Sequence, residues 1–138
     1  MQKVLVVIDM QNDFVDGALG STQAQMIVDN VRKKIESFDG PIIFTRDTHG
    51  IDYLERQEGK MLPVPHCVKN TEGWHIVKGL IEAAEGRPIM SPVSFIDKPN
   101  FGSLELLSRL EGMNLVNPIE SITLVGLCTD ICVVSNAI

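Results

Sequence analysis

The side chains best suited to chemistry in this sequence are two cysteines near its end, an acid and an amine far apart along the chain, and a set of carboxylates and histidines between them. The cysteines lie in Val125-Gly126-Leu127-Cys128-Thr129-Asp130-Ile131-Cys132-Val133-Val134. This reads as a strand, a tight turn and the start of a helix, with Thr129 or Asp130 able to cap it. Cys132 then falls in the first helical turn, where the helix dipole and the unpaired amides stabilise a thiolate. The same amides could hold the oxyanion of a tetrahedral intermediate. The plainer reading is that Cys128 and Cys132 are small buried hydrophobes, and spacing alone favours it. A metal or redox pair has weaker support, because the spacing is C-x3-C and not the C-x-x-C of thioredoxin-like sites.

Asp9 closes the apolar run Val4-Leu5-Val6-Val7-Ile8. A carboxylate at the end of a central strand is costly unless it reaches a rim and finds a partner. It could serve as a general base that takes a thiol proton and returns it to a leaving amine. As a helix cap or turn acid it would have no such role. Lys98, in Ile96-Asp97-Lys98-Pro99-Asn100-Phe101-Gly102, reads alone as a surface lysine. Beside Asp9 and Cys132 it would stabilise both carboxylate and thiolate.

Asp47 and His49 are two residues apart, so on an extended segment they point to the same side. Glu58 follows, and His66 stands in Pro63-Val64-Pro65-His66-Cys67. Two imidazoles with one or two carboxylates suit zinc, iron or manganese with positions left for water and substrate. Asp-x-His alone is a weak signal, and a loop histidine such as His66 is more often a surface residue. His75 has no evident partner and reads as surface. Cys67 reads as structural, since a thiolate among hard carboxylates would be an unusual ligand.

The elements that must position these groups form an α/β pattern. The runs Val4–Ile8, Ile42–Phe44 and Ile122–Val125 are apolar without alternation, as strands buried on both faces of a parallel sheet are. A weaker run around Ile89 to Ile96 is interrupted by Pro92 and is expected to be short or at an edge. A helix is predicted over Thr22 to Phe38, with Met26, Ile27, Val31, Ile35 and Phe38 near helical spacing and Gly40-Pro41 closing it. Another is predicted over Ser103 to Leu110, with Leu104, Leu106, Leu107 and Leu110 on one broad face. In such sheets ligands bind beyond the carboxyl ends of the strands. Asp9, Asp47 with His49, Lys98, and the segment Thr129 to Cys132 each follow a strand, so all are expected on one rim.

At 138 residues, without repeats or low-complexity linkers, the chain is expected to form one domain, 1–138. Its net charge of −6 argues against nucleic acid or anionic membrane as partners. An odd count of three cysteines and the absence of a leader-like N-terminus point to a reducing, cytoplasmic setting.

Four segments in order resemble the isochorismatase-like cysteine hydrolase superfamily, and within it the nicotinamidases. They are Val7-Ile8-Asp9-Met10-Gln11-Asn12-Asp13-Phe14, Thr45-Arg46-Asp47-Thr48-His49, Lys98-Pro99-Asn100-Phe101-Gly102-Ser103, and Gly126-Leu127-Cys128-Thr129-Asp130-Ile131-Cys132-Val133. The resemblance implies a three-layer α/β/α fold with a mainly parallel sheet. It implies a triad of Asp9, Lys98 and Cys132, an oxyanion hole from the amides of Cys128 and Cys132, and a non-proline cis peptide at Leu127-Cys128. The nicotinamidase branch adds a divalent metal, zinc foremost, on Asp47, His49, His66 and a fourth ligand, Glu58 before Glu55. It also implies hydrolysis of nicotinamide to nicotinate and ammonia in NAD salvage, and homo-oligomers. Hydrolysis of an N-carbamoyl or other small amide is the alternative within the superfamily, and a redox or binding module the alternative outside it. Two departures stand out. Leu62-Pro63 occupies the place of the aromatic that walls the pyridine ring, leaving Phe14 to supply a wall. The sequence also ends at Ile138, short of the family's further strand and helix, so the domain is expected to be incomplete at its C-terminus or completed by a neighbouring chain.

Overall fold

Strand β1, Gln2–Ile8, is the axis of the molecule, and its residues Val4 to Ile8 are all fully buried. An unbroken apolar run can be buried this way only if both faces and both edges of the strand are covered. In the computed structural model, which describes residues 1–17, 20–50, 67–87, 92–98 and 104–126, that is the case. β1 lies between β2 (Ile42–Asp47) and β4 (Ile119–Gly126), and β3 (Val93–Lys98) pairs with the far side of β2. All three pairings are parallel, giving the order β3-β2-β1-β4. Burying each Val, Leu or Ile side chain on this strand contributes roughly 1.5–3 kcal/mol.

The two faces of the sheet are covered by different helices. Leu5 and Val7 of β1, with Ile42 and Phe44 of β2, pack against α2 (Thr22–Ser37) and α3 (Lys78–Glu85). Val4, Val6 and Ile8, with Ile43 and Ile96, pack against α4 (Leu104–Val116). A short helix α1 (Asn12–Val15) and a 3-10 turn at Glu72–Trp74 lie beyond the carboxyl end of β1. The three-layer α/β/α arrangement with a parallel sheet is therefore the one the sequence implied.

Several boundaries differ from expectation for identifiable reasons. α2 starts at Thr22, as predicted, because Ser21 caps it, its Oγ accepting from the Ala24 amide at 3.0 Å, but it ends at Ser37, one residue before Phe38. Its buried stripe is Ala24, Val31 and Ile35, with Val28 partly buried against the same core. Met26, expected on this face, is 71% exposed, because the Ala24-Val28-Val31-Ile35 spacing already fills the contact. β3 begins only after Pro92, whose carbonyl accepts from the Ile42 amide at 3.0 Å, and it does occupy an edge. α4 runs past Leu110 to Val116, and its inward stripe is Leu106, Leu110 and Met113; Leu107 is half-exposed. α3 was not foreseen. It is two turns long and sends only Leu80 and Ala84 fully inward. Arg87, just beyond it, is buried and donates to the carbonyls of Phe38 and Gly40 at 2.8 and 2.9 Å, tying this layer to the entry of β2. Burial pulls its guanidinium down from its ordinary value, and Asp39 opposes that shift.

The extension of α4 places Gly112 inside a helix, with open space where a Cβ would go. Gly112→Ala is expected to stabilise the protein by about 0.5–1 kcal/mol through reduced entropy of the unfolded chain. Thermal unfolding should show a midpoint a few degrees higher; an unchanged or lower midpoint would contradict the helix assignment there.

Candidate active site

The inward columns facing α4 change character at the carboxyl end of the sheet. On β2 the column runs Ile43, Thr45, Asp47; on β3 it runs Ile96, Lys98; on β1 the chain leaves the strand at Asp9. In-register pairing sets Asp47 beside Lys98 and Ile8 beside Thr45. The apolar face is thus continued by polar side chains, and Asp9, Thr45, Asp47 and Lys98 are all fully buried or nearly so.

Asp9 and Lys98, eighty-nine positions apart in sequence, meet here: Lys98 Nζ donates to Asp9 Oδ2 at 2.8 Å, with both side chains 0% exposed. The other carboxylate oxygen, Oδ1, accepts from the Thr45 hydroxyl at 2.8 Å. The Asp9 amide in turn reaches the Thr45 carbonyl and Oγ1, each at 3.2 Å. The carboxylate is therefore fixed at both oxygens. Asp9 itself has φ 53°, a left-handed conformation that turns the chain out of β1; aspartate tolerates it better than most residues. Thr45 was not singled out from sequence; its position in register with Ile8 is the signal that finds it.

Asp47 and His49 also converge. His49 Nε2 lies 2.9 Å from Asp47 Oδ2, and both side chains are buried. A carboxylate oxygen and an imidazole nitrogen side by side are donors that zinc, iron and manganese accept. This half of the expected metal set fits a divalent ion. Its other members, Glu58 (or Glu55) and His66, lie outside the described residues, as do Cys128, Cys132 and the Leu127-Cys128 peptide. Among the described residues no group of three or more His, Cys, Asp or Glu could hold a metal.

The backbone of His49 is held by the segment that follows His66 in sequence. The His49 amide donates to the Cys67 carbonyl at 3.0 Å, and the Lys69 amide to the His49 carbonyl at 2.8 Å. The Cys67 amide donates to Asp13 Oδ2 at 2.7 Å. Cys67 is buried with Phe14 and Trp74 in one small cluster, which accords with a structural role for this cysteine. Phe14, expected to wall a substrate, is only 5% exposed and packs in that cluster. His75 is exposed, as expected of a surface residue. Two further residues were not foreseen. The Trp74 indole donates to Thr48 Oγ1 at 2.9 Å and carries the Arg46 guanidinium over its ring at 4.3 Å. Gln11 is fully buried and makes three hydrogen bonds, to the backbone of Asp47 and of Trp74.

Residues 3–138 match the family described as the isochorismatase domain. The chain belongs to the isochorismatase family. As a member it is an isochorismatase-family hydrolase, and its solved neighbours share the fold closely. N-carbamoylsarcosine amidase from Thermoplasma acidophilum is 28% identical with a TM-score of 0.76, covering 99% of this chain and 74% of that one. Nicotinamidase/pyrazinamidase PncA from Bacillus subtilis is 31% identical with a TM-score of 0.76, covering 96% and 75%. Pyrazinamidase of Pyrococcus horikoshii, solved in complex with zinc, is 25% identical with a TM-score of 0.68, covering 96% and 74%. This isochorismatase-family chain thus spans about three quarters of the length of each. Among its described residues, no helix is long and apolar enough to cross a membrane.

Proposed function

We propose that this isochorismatase-family chain is a cysteine amidohydrolase acting on a small amide, with nicotinamide as the first candidate. The observation that carries the reading is the buried Asp9–Lys98 pair at 2.8 Å on the carboxyl rim of the sheet. A lysine removed from water to contact a buried carboxylate is costly to maintain for stability alone. It is well placed to balance charge through a cycle in which a thiol becomes a thiolate. Strand β4 runs beside β1 to Gly126, level with Ile8, and the sequence carries Cys132 six residues later.

In the proposed cycle Asp9 takes the proton from the Cys132 thiol, and the thiolate sulfur attacks the amide carbonyl carbon. The amides of Cys128 and Cys132 hold the resulting oxyanion. As the C–N bond breaks, the proton on Asp9 passes to the nitrogen and ammonia leaves, giving a thioester. Asp9 then takes a proton from water, and the hydroxide adds to the thioester carbonyl. Breaking of the C–S bond releases the carboxylic acid and a thiolate, and the proton on Asp9 returns to the Cys132 sulfur, regenerating both the thiol and the carboxylate. Lys98 and Thr45 keep the Asp9 carboxylate oriented throughout. Asp47, His49, His66 and Glu58 would hold a divalent ion, which when bound supplies a Lewis-acidic anchor for a ring nitrogen of the substrate. The zinc of the Pyrococcus neighbour supports zinc as the first ion to try. A cytoplasmic, homo-oligomeric enzyme that feeds nicotinate back toward NAD is consistent with this reading.

A second reading keeps the triad and changes the substrate to an N-carbamoyl compound. It is supported by the TM-score of 0.76 to the N-carbamoylsarcosine amidase, the same as to the nicotinamidase. An ammonia-release screen of the full chain across nicotinamide, pyrazinamide and N-carbamoyl amino acids, with and without chelator, separates the two. Nicotinamidase action predicts turnover of the pyridine amide that falls at least about tenfold on metal removal and returns with zinc. Turnover confined to N-carbamoyl compounds would move the assignment to the second reading. No ammonia from any amide would overturn both.

A further inference from the structure

β1 and β2 part company at the site. β1 ends at Ile8, paired with Thr45, while β2 continues to Asp47. On one side Asp47 still has β3, in register with Lys98. On the other side its strand neighbour is gone, although Asp47 is fully buried. Backbone groups exposed in this way need partners. The side chain of Gln11 supplies them. Its Oε1 accepts from the Asp47 amide at 2.8 Å, and its Nε2 donates to the Asp47 carbonyl at 2.9 Å. The same Nε2 donates to the Trp74 carbonyl at 2.7 Å. One amide thus stands in for a strand residue beside β2 and ties it to the 3-10 turn at Glu72–Trp74. Only this orientation of the amide satisfies all three contacts, since its oxygen faces a donor and its nitrogen faces two acceptors.

We infer that Gln11 is a positioning residue for the metal half-site: it fixes the backbone from which the Asp47 carboxylate projects toward His49. The inference rests on the metal reading given under Proposed function. Gln11 lies between Asp9, which faces Lys98, and Asp13, which holds the Cys67 amide next to His66 in sequence. The segment 9–13 therefore serves the acid–amine pair through Asp9 and the metal side through Gln11 and Asp13. Groups that orient metal ligands in this way commonly change metal affinity when replaced.

The test uses Co2+ as the probe, because its visible absorption reports the ligand field directly. Gln11→Leu removes all three hydrogen bonds at similar volume. Gln11→Glu keeps the acceptor for the Asp47 amide but turns oxygen toward two carbonyls. Arg87→Met is the control, since Arg87 is also a buried clamp on backbone carbonyls but is built into the α3 side of the fold. Both Gln11 variants are expected to bind Co2+ about 10- to 100-fold more weakly than wild type, with an altered absorption band. Arg87→Met should lose thermal stability while keeping wild-type Co2+ affinity and spectrum. Three results overturn the inference: wild-type affinity and spectrum in either folded Gln11 variant, equal weakening in Arg87→Met, or failure of both Gln11 variants to fold while Arg87→Met folds. A wild-type chain that takes up no Co2+ is a separate outcome, which sinks the metal reading and this inference with it.

Discussion

Lys98→Met is expected to reduce ammonia release at least about a thousandfold, to the background of Cys132→Ala, and also to lower the thermal midpoint by on the order of 10–15 °C. The two losses have different origins. Lys98 Nζ and Asp9 Oδ2 are 2.8 Å apart, with neither side chain exposed. Removing the amine leaves a carboxylate buried opposite a thioether, at a cost of about 3–5 kcal/mol. Removing both charges should therefore restore much of the stability and none of the activity. The double variant should use Asp9→Asn, not Asp9→Ala. Residue 9 sits at φ 53°, where Asn is tolerated and Ala is strained, and Asn can still accept from Thr45 Oγ1. Scanning calorimetry and an ammonia assay on the two single variants and the double variant decide the matter. If Lys98→Met retains more than about a tenth of the wild-type rate, the pair is a structural feature and the catalytic role fails. A double variant no more stable than Lys98→Met would show that uncompensated charge is not the source of the loss.

Gly126→Ala should be nearly as damaging, from a position with no chemistry of its own. Gly126 has φ +145°, a conformation that side-chain-bearing residues rarely adopt. A Cβ placed there would fall well inside contact distance of the Ile8 carbonyl oxygen. Ile8 cannot retreat, because it is held on its other edge by β2 and is fully buried. The clash must be relieved by separating β4 from β1 at their carboxyl ends. Backbone strain and overpacking each cost about 1–3 kcal/mol, so a midpoint drop of roughly 10 °C is expected. The displaced carbonyl immediately precedes Asp9, so turnover should fall further than the folded fraction does. A Gly126→Ala protein within a degree or two of wild type in midpoint would show that the two strands have room to part, contrary to their tight pairing here.

The parts of this molecule legible in its sequence are those where one physical pattern dominates. β1 and β2 stand out because a strand covered on both faces leaves an uninterrupted apolar run. β4 carries such a run too, but among the described residues it lies at the other edge of the sheet and is only partly buried, with Ile122 45% exposed, contrary to the expectation for it. The same logic placed Asp9, Asp47, His49 and Lys98 at strand ends, and the structure brings Asp9 to Lys98 and Asp47 to His49. What stayed hidden depends on relations between segments. Lys98 alone looks like any surface lysine; its burial follows from the register that sets β3 beside Asp47. The role of Gln11 shows no signal of its own because its partners are backbone groups of distant segments, Asp47 on β2 and Trp74. α3 escaped notice because two turns sending only Leu80 and Ala84 inward make too short a periodic pattern. Met26 and Leu107 misled because an apolar residue near the right spacing can still fall off the buried stripe once neighbours fill it. Cys132, Cys128, Glu58 and His66 lie outside the described residues, so their roles stand on the sequence and on the proposed reading.

The central place of β1 has a consequence for how the enzyme would fail under stress. Amide protons of Val4 to Ile8 sit on a strand flanked by partners on both sides, so their exchange with deuterated solvent should require opening of the whole sheet. Asp9 and Gln11 follow directly on that protected stretch. Denaturant should therefore extinguish catalysis and erase secondary structure at one common midpoint, leaving no window in which a folded but misshapen protein accumulates.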